Sequence, residues 1–285
     1  MSLARKEQQV SMQVPSFHRS PSYVAKKLFR TGKTFFPSLT DTKYAAQRLV
    51  RQLLRRPHEH DFRALDMLKD VKPASEFVFV DIGANRGQTI DSVRLHKRWR
   101  ICSIEANPVL AQKLQRQRRR DDLVTVLNYA ISDTVGETTL YVPKYRGYAF
   151  DGLASMIREE AATWLDASKI YGFRADYLTI AEMRVPTTTL DSLGLAPDFV
   201  KVDVQGAEML VLKGAMKTLQ AHCPILLLEL PSYGEEGLFL AEIGYQPYKF
   251  RGRRFERGLE APGGNAFFLL TKHRGLFGPD AFRAA

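Results

Sequence analysis

The run Phe77-Val78-Phe79-Val80, followed at once by Asp81-Ile82-Gly83-Ala84-Asn85-Arg86-Gly87, constrains the fold more than any other segment. An unbroken apolar run of this length is the pattern of a strand buried on both faces, and such strands belong to parallel sheets covered by helices. The residues after it read as a tight turn leading into a helix. Gly83 and Gly87 remove the Cβ where backbone must bend or approach a ligand, and Asn85 tolerates a left-handed conformation better than other non-glycine residues. Such a turn cradles a nucleotide-like cofactor. Its spacing, Asp-x-Gly-x-Asn-x-Gly, differs from the Gly-x-Gly-x-x-Gly that sets a pyrophosphate on a helix N-terminus. Asp81 would repel a pyrophosphate and favour a ligand carrying positive charge. NAD and FAD are therefore disfavoured, and S-adenosylmethionine, with its sulfonium and ammonium groups, is the expected cofactor.

A second strand, Arg100 to Ile104, ends in Glu105-Ala106-Asn107-Pro108, and Glu105 lies 18 residues beyond Gly87. That spacing suits a carboxylate accepting hydrogen bonds from a ribose. A third strand, Leu123 to Asp133, carries Ala130 and leaves Asp133 where an adenine amino group could donate. The expected cofactor contacts are Asp81, Gly83, Ala84, Asn85, Gly87, Glu105, Ala106, Asn107, Ala130, Asp133 and Asp203. Any one of the acids, taken alone, is equally readable as a helix cap or a solvated loop residue.

The segments Val185-Pro186-Thr187-Thr188-Thr189-Leu190-Asp191-Ser192-Leu193, Phe199-Val200-Lys201-Val202-Asp203-Val204-Gln205-Gly206-Ala207-Glu208 and Val211-Leu212-Lys213-Gly214-Ala215 resemble an FkbM-type methyltransferase. With the glycine loop, Glu105 to Pro108 and Pro224 to Glu229, the resemblance runs in family order over about residues 75 to 272. It implies a class I, Rossmann-like doubly wound sheet dependent on S-adenosylmethionine. It also implies O-methylation of a hydroxyl on a sugar, polyketide or other natural product. The family often carries Glu where this chain has Gln205, so only a hydrogen-bonding role carries over there.

Alternating strands and helices support the same fold. Helices are expected over about Gln88 to Lys97, Pro108 to Arg118, Gly206 to Ala221 and Glu235 to Ile243. Strands over Tyr245 to Phe250 and Ala266 to Leu270 follow, the second introduced by Pro262-Gly263-Gly264-Asn265, and they suggest an antiparallel hairpin at the sheet edge. Cys102 and Cys223 lie in or beside apolar segments and read as free thiols. No stretch is long and apolar enough for a membrane span or a signal peptide, so a cytoplasmic protein is expected.

The net charge of +11 is uneven, because residues 1–60 hold 12 Lys or Arg against 3 Asp or Glu. Residues 1–70 read as a basic helical extension, with residues 1–20 disordered and a helix entered at Thr40-Asp41 and stopped at Arg55-Arg56-Pro57. Its apolar face suits docking on its own domain or a second copy. Basic residues occupy the other face, and an anionic membrane surface or nucleic acid are the other partners the helix fits. His58-Glu59-His60-Asp61 resembles metal-ligand spacing but lacks a matching cluster elsewhere, so no metal is expected.

The methyltransferase domain would span residues 71–285, with an irregular insertion over about 138–184. It holds Tyr141, Tyr145, Tyr148, Phe150, Trp164, Tyr171, Phe173 and Tyr177, and reads either as a substrate cover or as a satellite core. Lys144, Arg146, Arg158 and Arg174 hint at an acidic acceptor. An alcohol needs a general base, and Asp203, Glu229 and Glu208 are the candidates in that order. Asp203 is equally readable as the partner of the methionine ammonium, and Glu208 as a helix cap. Two other functions stay open: an RNA methyltransferase using the basic arm, and a non-catalytic protein that binds S-adenosylmethionine.

Overall fold

A computed structural model describes residues 21–36, 39–230, 234–258 and 264–283. The expected disorder of residues 1–20, and the Pro262-Gly263 part of the late turn, lie outside them.

The main sheet is built from β1 (Val78–Ile82), β2 (Arg100–Ile104), β3 (Val124–Leu127), β8 (Phe199–Val202), β9 (Ile225–Glu229), β10 (Gln246–Arg251), β11 (Arg254–Arg257) and β12 (Asn265–Leu269). Between β3 and β8 the chain forms a second sheet of β4 (Ala130–Ile131), β5 (Gly136–Tyr145), β6 (Tyr148–Ala149) and β7 (Leu178–Thr188). The main order is β11-β10-β12-β9-β8-β1-β2-β3. The pairs from β9 to β3 are parallel, while β12 runs antiparallel between β9 and β10. This is the mostly parallel, doubly wound sheet expected, with two differences in detail. The late strands do pair antiparallel, but β12 inserts between β9 and β10. The edge belongs to β11, joined to β10 by a turn at Gly252, which has φ 63°. The expected third strand is also split, so that β3 and β4 enter different sheets.

Side chains alternate across β1 with a period of two. Phe79 joins one core with Phe77, Trp99, Ile101, Phe199, Leu227 and Phe267. Val80 and Ile82 join the opposite one with Ile104, Val202, Val211, Leu212, Leu226 and Leu228. The first core is a lattice of rings, with Phe77 stacked on Trp99 at 3.9 Å and Phe79 on Phe199 at 4.7 Å. Helices α3 (Gln88–His96) and α4 (Pro108–Arg118) flank it as expected. The expected helix over 206–221 is broken into α6 (Glu208–Lys213) and α7 (Met216–His222). The break falls at Gly214, where a Cβ would sit 1.9 Å from the Ser132 carbonyl oxygen. Helix α8 (Glu235–Glu242) completes the domain. Cys102 and Cys223 are free thiols.

The insertion is regular rather than loose: β5 and β7 pair antiparallel from Gly136↔Thr187 to Tyr145↔Leu178. It carries one short helix, α5 (Arg158–Thr163). Its aromatics form a satellite core of Tyr145, Tyr148, Phe150, Leu165 and Ile170, with Trp164 and Phe173 at the margin.

The basic extension forms α1 (Pro21–Phe35) and α2 (Leu39–Leu53), so the second helix begins one residue before Thr40. Helix α1 lies on the insertion, where Lys27 Nζ donates to the Ala167 carbonyl at 2.7 Å and Thr31 Oγ1 accepts from Tyr171 N at 2.9 Å. Helix α2 lies along α3 through an Arg48–Asp91 ion pair at 3.0 Å. Its outer residues Leu49, Val50, Leu53 and Leu54 stay exposed. Phe62, Ala64, Leu65 and Leu68, assigned to the extension from sequence, are buried in the main core. Among the described residues no helix is long and apolar enough to cross a membrane, and no group of three His, Cys, Asp or Glu could hold a metal.

Candidate active site

The carboxyl ends of β1, β2, β8 and β9 surround a cavity of about 290 Å³. Gly83 and Asn85 of the glycine loop line it, with φ 89° and 49°, the left-handed conformations their residue types allow. Gly83 is obligatory in a second sense, since a Cβ there would lie 1.8 Å from the Asp203 carbonyl oxygen. The tips of β1 and β8 are in contact, and Asp203 N donates to the Ile82 carbonyl at 3.0 Å.

Glu105, Ala106, Tyr129 and Ala130 form one end of the cavity. The Glu105 carboxylate accepts from Asn85 N at 2.6 Å and from Asn107 N at 2.8 Å, tying the glycine loop to the tip of β2. Burial outweighs those bonds and pushes its carboxyl up to about 7.

Asp203, Gln205 and Glu229 form the opposite end, together with His58 and Glu59. Lys201 Nζ lies 2.9 Å from Asp203 Oδ2, and Gln205 Nε2 donates to Asp203 Oδ1 at 3.0 Å and to Glu229 Oε2 at 3.4 Å. Gln205 thus bridges the two carboxyls, which interact directly enough to move each other's titration in opposite directions. Burial works against the Asp203 anion, but Lys201 overrides it and holds that carboxyl below the usual range. Glu229 is driven the other way, by burial first and then by the neighbouring Asp203 anion, which favours a protonated Glu229 beside it. Two carboxyls in one niche thus divide into an anion and a group that titrates well above an ordinary carboxylate.

Lys201 is 2% exposed, in the middle of a sheet. Its charge is balanced by Asp203, by Glu59 Oε1 at 3.9 Å and by Asp81, its register partner on β1. Neither Lys201 nor Glu59 is read from sequence as part of this site, Glu59 standing out only in the metal-like run His58 to Asp61. A lysine inside the apolar run Phe199 to Val202 is the signal that could have found the first, because such a charge is buried only with partners. Glu59 gave no such signal, being fixed by Asn265 Nδ2 at 2.6 Å across 206 residues of chain.

Several expected cofactor residues do not line the cavity. Asp81 points into the ring-rich core side of β1, where it is fully buried and accepts from Ser103 Oγ at 3.2 Å. Burial pushes its carboxyl up to about 6. Ala84 is buried in that same core. Gly87, with φ 80°, caps α3. Asn107 caps α4, its side chain accepting from Val109 N at 3.0 Å. Asp133 is exposed and accepts from Ser132 Oγ at 3.2 Å, because the chain between β3 and β4 turns away into the second sheet. Glu208 does not line the cavity either, its carboxylate accepting from Val204 N at 3.2 Å and Gly206 N at 3.0 Å as a cap on the loop before α6.

Over the cavity lie Leu140, Asp151, Gly152, Ala154 and Met156 of the insertion. None of the eight aromatics singled out from sequence lines it; Tyr145, Tyr148, Phe150, Trp164 and Phe173 hold the cover together from behind, while Tyr171 and Tyr177 are exposed. Arg158 and Arg174 are exposed and paired with Glu182 and Asp176, so their charge is turned outward.

Among solved structures, the chain is similar to an FkbM methyltransferase from Methylobacillus flagellatus, at 17% identity over 72% of this chain and 47% of that one, with a TM-score of 0.42. A TehB-like methyltransferase from Corynebacterium glutamicum is 9% identical over 82% of this chain and 100% of that one, with a TM-score of 0.39. An O-methyltransferase from Thermotoga maritima is 12% identical over 75% and 66%, with a TM-score of 0.34. The chain therefore spans about half the length of the first of these. No curated protein matches it. The family model for the methyltransferase FkbM domain matches residues 81–252, from the glycine loop through β10 and so across both ends of the cavity, and the chain belongs to that methyltransferase family.

Proposed function

We propose that the protein transfers a methyl group from S-adenosylmethionine to a hydroxyl of a small molecule or saccharide, with Glu229 as the general base. The observation that carries this reading is the unequal carboxyl pair, Asp203 and Glu229, at the cavity end opposite Glu105.

The cavity's donor set fits the cofactor. A Glu105 contact to ribose hydroxyls is supported by its position in the cavity lining, and an adenine against Ala106, Tyr129 and Ala130 by the apolar surface they present. The Asp203 anion, held by Lys201, complements the methionine ammonium. Bound there, S-adenosylmethionine supplies an electrophilic methyl carbon; the protein aligns the acceptor oxygen and removes its proton. A base works best when its pKa lies near the working pH, a condition Glu229 meets and Asp203 does not. Lys201 keeps Asp203 ionised, and that anion in turn keeps Glu229 basic. Leu140, Ala154 and Met156 help exclude water above them.

Paired substitutions test the assignment. Glu229→Gln should lower turnover by ~10²–10⁴ with little change in cofactor affinity, whereas Asp203→Asn should weaken S-adenosylhomocysteine binding. In the wild type, kcat/KM should rise with pH through a midpoint above the usual carboxylate range, because the deprotonated Glu229 is the active form. The reverse pattern, with affinity lost in Glu229→Gln and turnover alone in Asp203→Asn, would exchange the two roles. Transfer from labelled cofactor to RNA and to no glycan or small molecule would overturn the acceptor class.

A further inference from the structure

A second, smaller cavity of about 160 Å³ adjoins the first, and the two share Asn85, Asp151 and Gly152. Its outer wall is the basic extension: Arg30 and Lys33 from α1 and Tyr44 from α2. Arg86 of the glycine loop and the rings of Tyr148, Phe150 and Trp164 complete it. Each cation lies over a ring. Arg30 sits 4.8 Å from the Trp164 centroid, Lys33 5.4 Å from Tyr148 and 5.5 Å from Phe150, and Arg86 4.8 Å from Tyr44.

Charge in this cavity is unbalanced. Asp151 is the acid that lines it, and that carboxylate is paired to Arg86 at 2.8 Å. Among the described residues Arg30 and Lys33 have rings but no carboxylate within ion-pair distance. Burial, followed by the neighbouring Lys43, Arg86 and Arg30, pushes the Lys33 ammonium down to about 8. Holding cations together in a half-buried niche is costly unless an anion neutralises them. A cation stacked on a ring is fixed by its face and keeps its N–H edges for a ligand, while neighbouring rings suit the apolar face of a sugar. At the junction Gly152 packs closely on the Asn85 side chain, and a Cβ there would lie 3.1 Å from Asn85 Nδ2.

We infer that this cavity is an acceptor subsite for an oxyanion, so that the methyl acceptor is a small molecule, saccharide-like in its ring, bearing a phosphate or carboxylate held by Arg30 and Lys33. This rests on the methyltransferase reading of the adjoining cavity. It also gives the basic extension a role in substrate recognition, through two cations of α1 that carry no individual role in the sequence.

The test uses the full chain saturated with S-adenosylhomocysteine and titrated by calorimetry with inorganic phosphate, a hexose 1-phosphate and the neutral hexose. Saturable binding of both phosphates and none of the hexose is expected. The double variant Arg30→Gln/Lys33→Met should weaken phosphate binding by about tenfold or more, since charge-assisted hydrogen bonds are lost, while Lys33→Arg retains it. Affinity for S-adenosylhomocysteine, measured in every variant, should stay within about twofold and shows that the fold persists. Phosphate affinity unchanged in the double variant, or no phosphate binding by the wild type, overturns the subsite. Phosphatidylglycerol vesicles provide the other arm: vesicle binding that is lost in the double variant and not displaced by soluble phosphate would assign the cations to a lipid surface and overturn the acceptor role. A wild type that binds phosphate but not S-adenosylhomocysteine would instead overturn the cofactor reading on which the inference rests.

Discussion

Gly83→Ala should be among the most damaging single-methyl changes in this protein, and its cost can be divided by a matched control. Gly83 has φ 89° and Gly147 φ 79°, but a Cβ at Gly83 would meet the Asp203 carbonyl oxygen at 1.8 Å whereas one at Gly147 meets nothing within 4 Å. Left-handed backbone costs a non-glycine residue about 1–2 kcal/mol, and restricting the unfolded chain returns about 0.4–1 kcal/mol. Gly147→Ala should therefore destabilise by about 1 kcal/mol or less. Gly83→Ala bears the same strain and must also open the β1–β8 contact by roughly 1.5 Å to reach ordinary packing distance. That movement would break the bond from Asp203 N to the Ile82 carbonyl, now 3.0 Å. Overpacking of about 1–3 kcal/mol and a lost buried hydrogen bond of about 1–3 kcal/mol bring the expected total to about 2–7 kcal/mol. Urea unfolding of both variants measures the difference, with the denaturant slope as a check on two-state behaviour. Equal losses in the two variants, within about 0.5 kcal/mol, would show that the strand tips are not in contact and that Gly83 is needed only for its dihedral angle.

The parts of this site that could be read from sequence are those set by local chemistry. Phe77 to Gly87 encodes a buried strand and a left-handed turn through residue type alone, and Gly83 and Asn85 adopt the conformations expected of them. Glu105 follows from strand length and spacing. Asp133 lies off the cavity because Leu123 to Asp133 is two strands and not one: Asn128 is a weak local sign of the break, and the separation of β3 from β4 depends on β7, more than 45 residues later, offering a parallel edge to Ala130 and Ile131. The acids showed their number but not their roles. Asp81, Glu208 and Asp203 look alike in sequence, yet one is buried under the loop, one caps backbone amides and one faces the cavity. What separates them is which face of a strand or turn each occupies, a tertiary property. His58 and Glu59 stand out in sequence only as part of a metal-like cluster, since their place beside Glu229 depends on the first core holding Phe62 and Leu65.

Lys201→Met should destabilise the protein by about 3–5 kcal/mol at neutral pH by stranding buried carboxylates. Because Asp203 is held below the usual carboxylate range in the folded state, its contribution is present above the unfolded pKa and is lost as pH falls through the folded one; the gap between wild type and variant should narrow below about pH 4 in urea titrations. Glu105→Ala should weaken S-adenosylhomocysteine binding by ~1–3 kcal/mol in calorimetry. Its carboxyl is pushed up to about 7, so ionising it opposes folding: wild-type stability without cofactor should fall as pH rises from about 4.3 toward 7, and the variant should lack that part of the slope. Truncation locates the true edge of the domain. Deleting residues 1–54 removes both helices of the extension but keeps His58 and Glu59, so cofactor affinity should change by less than about threefold, while any phosphate binding through Arg30 and Lys33 disappears. Deleting residues 1–68 also removes Phe62, Leu65 and Leu68, each at most 2% exposed. At about 1.5–3 kcal/mol for each fully buried large side chain, that loss of roughly 5–9 kcal/mol is comparable with the whole stability of a domain. The longer deletion should therefore abolish cooperative unfolding, and a shorter chain that still melted cooperatively and bound S-adenosylhomocysteine would place the edge of the core after Leu68.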